Sequence, residues 1–179
     1  TRLIVVINPN NPTGTSVSVE QIEDLLKTFP DIPILVDEAY YEFSGQTCVS
    51  LLSSYPNLII IRTFSKALAL PSLRLGYVIA QPDFILQLLK IRGPYDVNLV
   101  AVLAAREQLN HPGHWQKVVR HLMDESKPAL EKYFGERQVK YYSSTANFLL
   151  VEPQNVAEVS EFLKENKILV RTMNPPVAH

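Results

Sequence analysis

Apolar runs just long enough for one strand alternate with stretches of helical periodicity along the first half of the chain, and this alternation restricts the possible folds severely. Strands that alternate with crossover helices build parallel sheets. Leu3-Ile4-Val5-Val6-Ile7 is apolar at every position, the pattern of a strand buried on both faces. Turn residues from Asn8 to Gly14 end it. Ser18, with Gln21 three positions on, offers a capping box. The helix that follows carries Ile22, Leu25 and Leu26 on one face and stops near Pro30. The same reading predicts strands over Ile34 to Val36, Leu58 to Ile61 and Leu75 to Ala80, and helices over Asp83 to Ile91 and Leu99 to Leu109.

A second section starts near His111-Pro112-Gly113. A long amphipathic helix is predicted from Trp115 to Tyr133, bent at Pro128, which has no backbone N–H to donate. Strands over Val139 to Tyr142 and Phe148 to Val151, a helix over Val156 to Glu165 and a strand over Ile168 to Arg171 complete a β-β-α-β unit beside the larger one.

Composition removes several function classes. The net charge of −1 leaves no electrostatic footprint for nucleic acid or an anionic membrane. The longest apolar runs are strand-sized, well below the roughly 20 residues of a membrane-spanning helix. Cys48 is the single cysteine, so neither an internal disulfide nor a cysteine-based zinc site can form, and a reducing cytoplasm is the expected compartment. His111 and His114 flank a Pro-Gly pair with no carboxylate or cysteine partner nearby in the sequence, too few ligands for zinc. His121 is expected on the surface of the long helix.

What remains is a set of chemistry-bearing residues at strand ends and turns. Lys66 closes Ile59-Ile60-Ile61-Arg62-Thr63-Phe64-Ser65-Lys66, just beyond a strand, and Arg74 stands eight positions later in Ser72-Leu73-Arg74-Leu75-Gly76-Tyr77. Upstream lie Asn8-Pro9-Asn10-Asn11-Pro12-Thr13-Gly14 and Val36-Asp37-Glu38-Ala39-Tyr40. Taken singly, each has an ordinary reading: a surface lysine, an ion-pair arginine, a helix N-terminal acid pair, a proline-punctuated turn. In this order and spacing they resemble the fold-type I aminotransferases that use pyridoxal 5′-phosphate (PLP), and most closely the histidinol-phosphate aminotransferases. The resemblance runs almost end to end and is strongest from Ile7 to Tyr77.

That resemblance implies an α/β fold with a large, mostly parallel sheet and a small α+β domain. Residues 1–111 would be the C-terminal portion of the large PLP-binding domain, and 112–179 an incomplete small domain. It implies that Lys66, held partly desolvated beside cations, binds the cofactor aldehyde and then shuttles the substrate proton. Arg74, Ser65 and Thr63 would hold the cofactor phosphate, and Asp37 the ring nitrogen. Tyr40 and Asn11 would share the phenolic oxygen. Asn11 and Arg171 would contact substrate, Arg171 meeting an acidic group, with Asn147 in a matching small-domain segment. The partners implied are an amino donor, with histidinol phosphate the best match, and a 2-oxo acid such as 2-oxoglutarate, in a cytoplasmic homodimer.

Two departures from the family pattern stand out: Pro71 in place of a small residue, and Asp96 in place of an amide within Arg92-Gly93-Pro94-Tyr95-Asp96-Val97-Asn98. The chain opens on a core strand without methionine and closes at Met173-Asn174-Pro175-Pro176, so it reads as a fragment, expected to be inactive alone. The absent parts would supply a phosphate loop, a ring-stacking aromatic, contacts to the other subunit and the arginine for the substrate carboxylate. Threonine-phosphate decarboxylases and aromatic or broad-range aminotransferases share the lysine, aspartate and arginine pattern and stay open. From another class, a non-catalytic binding or assembly module stays open too.

Overall fold

The computed structural model describes residues 1–173. The capping box forms: the Gln21 N–H donates to Ser18 Oγ at 3.3 Å, and the Ser18 N–H donates to Gln21 Oε1 at 3.0 Å. It starts helix α1 (Val19–Thr28), whose Ile22 and Leu26 are buried on the sheet. Strands β1 (Ile4–Ile7), β2 (Ile34–Asp37) and β3 (Leu58–Thr63) run parallel in that order, and β4 (Gly76–Ala80) pairs with β3. The period of two along each strand sends Ile34, Val36, Leu58 and Ile60 to the face under α1, where they join Ile22, Leu26 and Cys48 in one core cluster. Each fully buried aliphatic there contributes about 1.5–3 kcal/mol.

Three expectations need correction here. First, β4 is antiparallel to β3. The connection between them holds only a short 3₁₀ turn (Pro71–Leu73), and a parallel return would need a full crossover. Second, β1 is not buried on both faces: Val5 is 54% exposed and Ile7 40%. It is the outer strand, and no described residue covers that side. Third, Ile168 to Arg171 forms no strand, because no neighbour among the described residues supplies the ladder; Leu169 is 86% exposed.

Helices α2 (Tyr41–Ser44), α3 (Pro82–Ile91) and α4 (Leu99–Asn110) flank the sheet in sequence. The long predicted helix is two helices, α5 (Gly113–His121) and α6 (Lys127–Glu136), joined through a π-helical turn at Leu122–Ser126. Pro128 explains the interruption, since its ring excludes the regular bond to the turn before it. Strands β5 (Lys140–Tyr142) and β6 (Leu150–Glu152) pair antiparallel, and helix α7 (Val156–Glu165) follows. His111 does find a carboxylate: Glu107, one helical turn back, lies 2.9 Å from its Nδ1. His121 is exposed and pairs with Glu125 in the same way. From 174 onward the closing run Met173 to Pro176 lies outside the described residues.

Candidate active site

Because β1, β2 and β3 are parallel and in register at Ile7, Asp37 and Ile61, the loops leaving them emerge along one edge of the sheet. That carboxyl edge is where ligands of open α/β sheets bind. Backbone bonds tie the loops together at their roots: Asn8 N–H donates to Asp37 O, and Glu38 N–H to Ile61 O, both at 2.9 Å.

The first loop, from Asn8 to Val17, is internally braced. The Asn8 side chain accepts from the Val17 N–H and donates to its carbonyl, each at 2.9 Å. Gly14, at φ +74°, turns the chain so that its N–H reaches Asn10 O at 2.8 Å. The Asn8–Pro9 and Asn11–Pro12 bonds are cis. Asn11 is exposed, and its Nδ2 donates to the Tyr40 hydroxyl at 2.9 Å.

Tyr40 is the hub. It is only 7% exposed, takes the Asn11 amide at its hydroxyl, and has the Lys66 ammonium 5.2 Å from its ring centroid. Asn11, Tyr40 and Lys66 are therefore brought together from three loops. Asp37 ends β2, and its Oδ1 accepts the Ala39 N–H at 3.0 Å. The ordinary reading of Asp37 and Glu38 as a helix N-terminal acid pair does not describe them, since Asp37 ends β2 and Glu38 is buried. Successive strand residues point to opposite faces, and Glu38 turns instead into a buried network.

The loop from Phe64 to Leu75 is anchored where Phe64 N–H donates to Leu75 O at 3.1 Å, while Thr63 Oγ1 accepts the Ser65 N–H at 3.1 Å. Ala69 and Arg74 both adopt positive φ, 55° and 54°, a local strain of the kind found at ligand-binding turns. Arg74 is exposed and donates to Pro71 O at 2.8 Å. Pro71 itself opens the 3₁₀ turn, where its fixed φ suits the first position. Lys66 is exposed rather than desolvated, a further correction. Asp96 meets Arg92 in a 2.7 Å ion pair, and Asn98 caps α4. Arg171 is exposed and makes no hydrogen bond or ion pair with the described residues, so it does not join the cluster; Asn147 is exposed too.

Sequence reasoning missed the support beneath this edge. Glu38, 1% exposed, accepts two bonds from Arg62 (2.9 and 2.8 Å), one from Thr47 Oγ1 (2.9 Å) and one from the Cys48 N–H (2.6 Å). The Arg62 guanidinium also lies 3.5 Å from the centroid of the Tyr41 ring. The usable signal was Arg62 inside an otherwise apolar strand, which demands a buried counter-charge. Gly76 permits the close passage of β4 over β3, since a Cβ there would lie 2.8 Å from Arg62 O.

A family model described as "Aminotransferase class I and II" matches residues 1–178. The histidinol-phosphate aminotransferase of Dehalococcoides mccartyi is 39% identical over 179 residues, covering 99% of this chain and 49% of that protein. Among solved structures, the L-threonine-O-3-phosphate decarboxylase of Porphyromonas gingivalis superposes with a TM-score of 0.81 at 27% identity, over 96% of this chain and 54% of its own. The histidinol-phosphate aminotransferase of Sinorhizobium meliloti, solved in complex with PLP, has a TM-score of 0.85 at 24% identity, over 98% of this chain and 50% of its own. The chain thus spans about half the length of the relatives it matches.

Proposed function

Because the chain belongs to the class I and II aminotransferases, with their α/β fold and their cofactor PLP, we propose that the whole protein transfers an amino group from histidinol phosphate to 2-oxoglutarate. The observation that carries this reading is the convergence of Asn11 and Lys66 on Tyr40 from separate loops. The 39% identity with a histidinol-phosphate aminotransferase supports the choice of donor.

The residues present fit the cofactor. The Asp37 side chain makes a single hydrogen bond among the described residues, leaving Oδ2 available for a ring nitrogen. Lys66 Nζ and Ser65 Oγ carry no hydrogen bond or ion pair there, and Arg74 commits one nitrogen to Pro71. A carboxylate and a guanidinium that each keep capacity to spare, with a free amine and a free hydroxyl at the same sheet edge, match a pyridine ring bearing an aldehyde and a phosphate.

When bound, that group supplies an aldehyde for amino groups and a ring that draws electrons from the bond being cleaved. Lys66 takes the proton from the substrate Cα and returns it on the far side of the transfer. Asp37 keeps the ring nitrogen protonated. Asn11 and Tyr40 would donate to the phenolic oxygen, Arg74 would neutralise the phosphate, and the Ser65 and Thr63 hydroxyls would donate hydrogen bonds to it. Arg171 is assigned to an acidic group of the substrate. Residues 1–111 form part of the larger, cofactor-binding unit and 112–179 part of the smaller one, a division supported by their separate sheets. The whole protein is assigned to a cytoplasmic homodimer; no helix among the described residues is long and apolar enough to cross a membrane.

The purified chain is incubated with PLP, reduced with borohydride and digested. A modified peptide carrying Lys66, lost in Lys66→Ala, is the expected result. Modification confined to other lysines would remove Lys66 from its role; no modification at all would mean that the parts of the relatives this chain does not span are needed to build the site. In a turnover assay of the whole protein with histidinol phosphate and 2-oxoglutarate, and separately with threonine phosphate, carbon dioxide release from threonine phosphate in place of amino transfer would favour the decarboxylase reading, the activity named for the 27% identical structure.

A further inference from the structure

We infer that the segment from Ser143 to Leu149 positions the Asn11–Tyr40 pair, with Thr145 and Phe148 as the positioning residues. The significance for catalysis rests on the proposed role of that pair; the coupling itself does not.

Two contacts carry it, from opposite ends of the segment. At one end Thr145 is fastened to the first loop. Its N–H donates to Gly14 O at 2.9 Å, its Oγ1 donates to the same carbonyl at 3.2 Å across 131 positions, and the Oγ1 shares a short hydrogen bond with Ser16 Oγ. Ser144 packs so closely that a Cβ on Gly14 would sit 2.1 Å from its Oγ. The segment is braced at this point by its own bonds. Ser144 Oγ accepts the Ala146 N–H at 3.0 Å, Lys127 donates to Ser144 O, and Ala146 is fully buried. At the other end Phe148 meets the Tyr40 ring edge-on, centroids 5.2 Å apart at 76°.

These contacts close a circuit: Asn11, Gly14, Thr145, Phe148, Tyr40 and back to Asn11 through the 2.9 Å bond. Gly14 is bonded to Asn10, so a shift of the Thr145 clasp is passed to the neighbour of Asn11. Phe148 limits where the Tyr40 ring can go. The Asn11–Tyr40 bond is made on the exposed side of its loop; Phe43 and Lys66 also flank the Tyr40 ring and the Asn8–Val17 bonds brace the loop, and the Thr145 clasp and the Phe148 contact add to these in setting the geometry of the bond.

The test uses the full chain, ¹⁵N-labelled and with ring-labelled tyrosine, without cofactor. Thr145→Val removes the hydroxyl bonds and keeps the backbone bond; Thr145→Ser keeps both. Gly14→Ala wedges the clasp apart. Asn155→Ala, which removes the cap of α7, serves as a control for general destabilisation. Thr145→Val and Gly14→Ala are expected to raise amide exchange at Thr145 at least tenfold. They should also move the Asn11 side-chain amide and Tyr40 ring resonances, with Thr145→Ser returning them and Asn155→Ala leaving them in place. Faster exchange at Thr145 with Asn11 and Tyr40 resonances unmoved would overturn the inference. Should Gly14→Ala not fold, Thr145→Val decides alone. A chain that takes up no PLP bears on the proposed function only, because these readouts need no cofactor.

Discussion

Glu42, in the first turn of α2, is a carboxyl that folding places at a disadvantage, and Glu42→Gln measures by how much. Its Oε2 is buried without a hydrogen-bond partner. Arg62, the nearby cation, is already held by Glu38, so burial dominates and pushes the Glu42 carboxyl from 4.5 up to about 7. The group lines a cleft with Tyr41, Thr47, Trp115 and Arg120. A raised carboxyl pKa means the folded chain keeps a proton that the unfolded chain has lost. Stability therefore falls as pH rises from about 4.5 to about 7 and is level above that. At about 1.36 kcal/mol per pH unit the full effect would be about 3 kcal/mol. Solvent reaches part of the residue, which cuts this to about 1–2 kcal/mol. Urea unfolding at pH 4.5, 6 and 8 reads it. Glu42→Gln should match the parent at pH 4.5 and exceed it at pH 8 by about 0.5–1 M in midpoint, for a slope of about 2 kcal/mol per molar. Other titrating groups are shared by both proteins and cancel in the difference. An equal pH dependence in the two proteins would refute the reasoning.

Arg62→Met strips the buried Glu38 of its charge partner while leaving the Thr47 and Cys48 donors, and should cost about 3 kcal/mol in urea unfolding; a loss below about 1 kcal/mol would show that the pair does not support this edge of the sheet. Cys48 is 1% exposed, and burial beside Glu38 pushes its thiol up to about 11. Its reaction with a disulfide reagent at pH 8 should be about 90-fold slower in the folded chain than in guanidinium, from the thiolate fraction alone. Comparable rates in both states would show that the core around Ile22 and Ile60 opens readily.

Much of this protein could be read locally. The Ser18 capping box, the helices over Asp83 to Ile91 and Val156 to Glu165, and the loop origins of Asn11, Asp37, Tyr40 and Lys66 all stand close to where the residues put them. These features depend on neighbours a few positions apart, and short-range spacing is what a linear pattern records. Leu3 to Ile7 shows the limit. Its apolar run gave a strand correctly but could not tell an outer strand from a central one, since burial depends on what packs against it. Leu75 to Ala80 gave a strand whose direction followed from the missing crossover.

The residue types and their spacing by themselves determined the chemistry this chain carries: an amine, a carboxylate, a phenol, an amide and a guanidinium, each just past a strand or in a turn. Tertiary structure alone decided which of two adjacent acids faces the site. Asp37 and Glu38 are equivalent in the sequence, and only the pleat of β2 and the position of Arg62 on β3 send Glu38 into the core. The Thr145–Gly14 clasp is likewise invisible in the chain, because a contact across 131 positions is set by how sheet and helices pack, and no local preference encodes it.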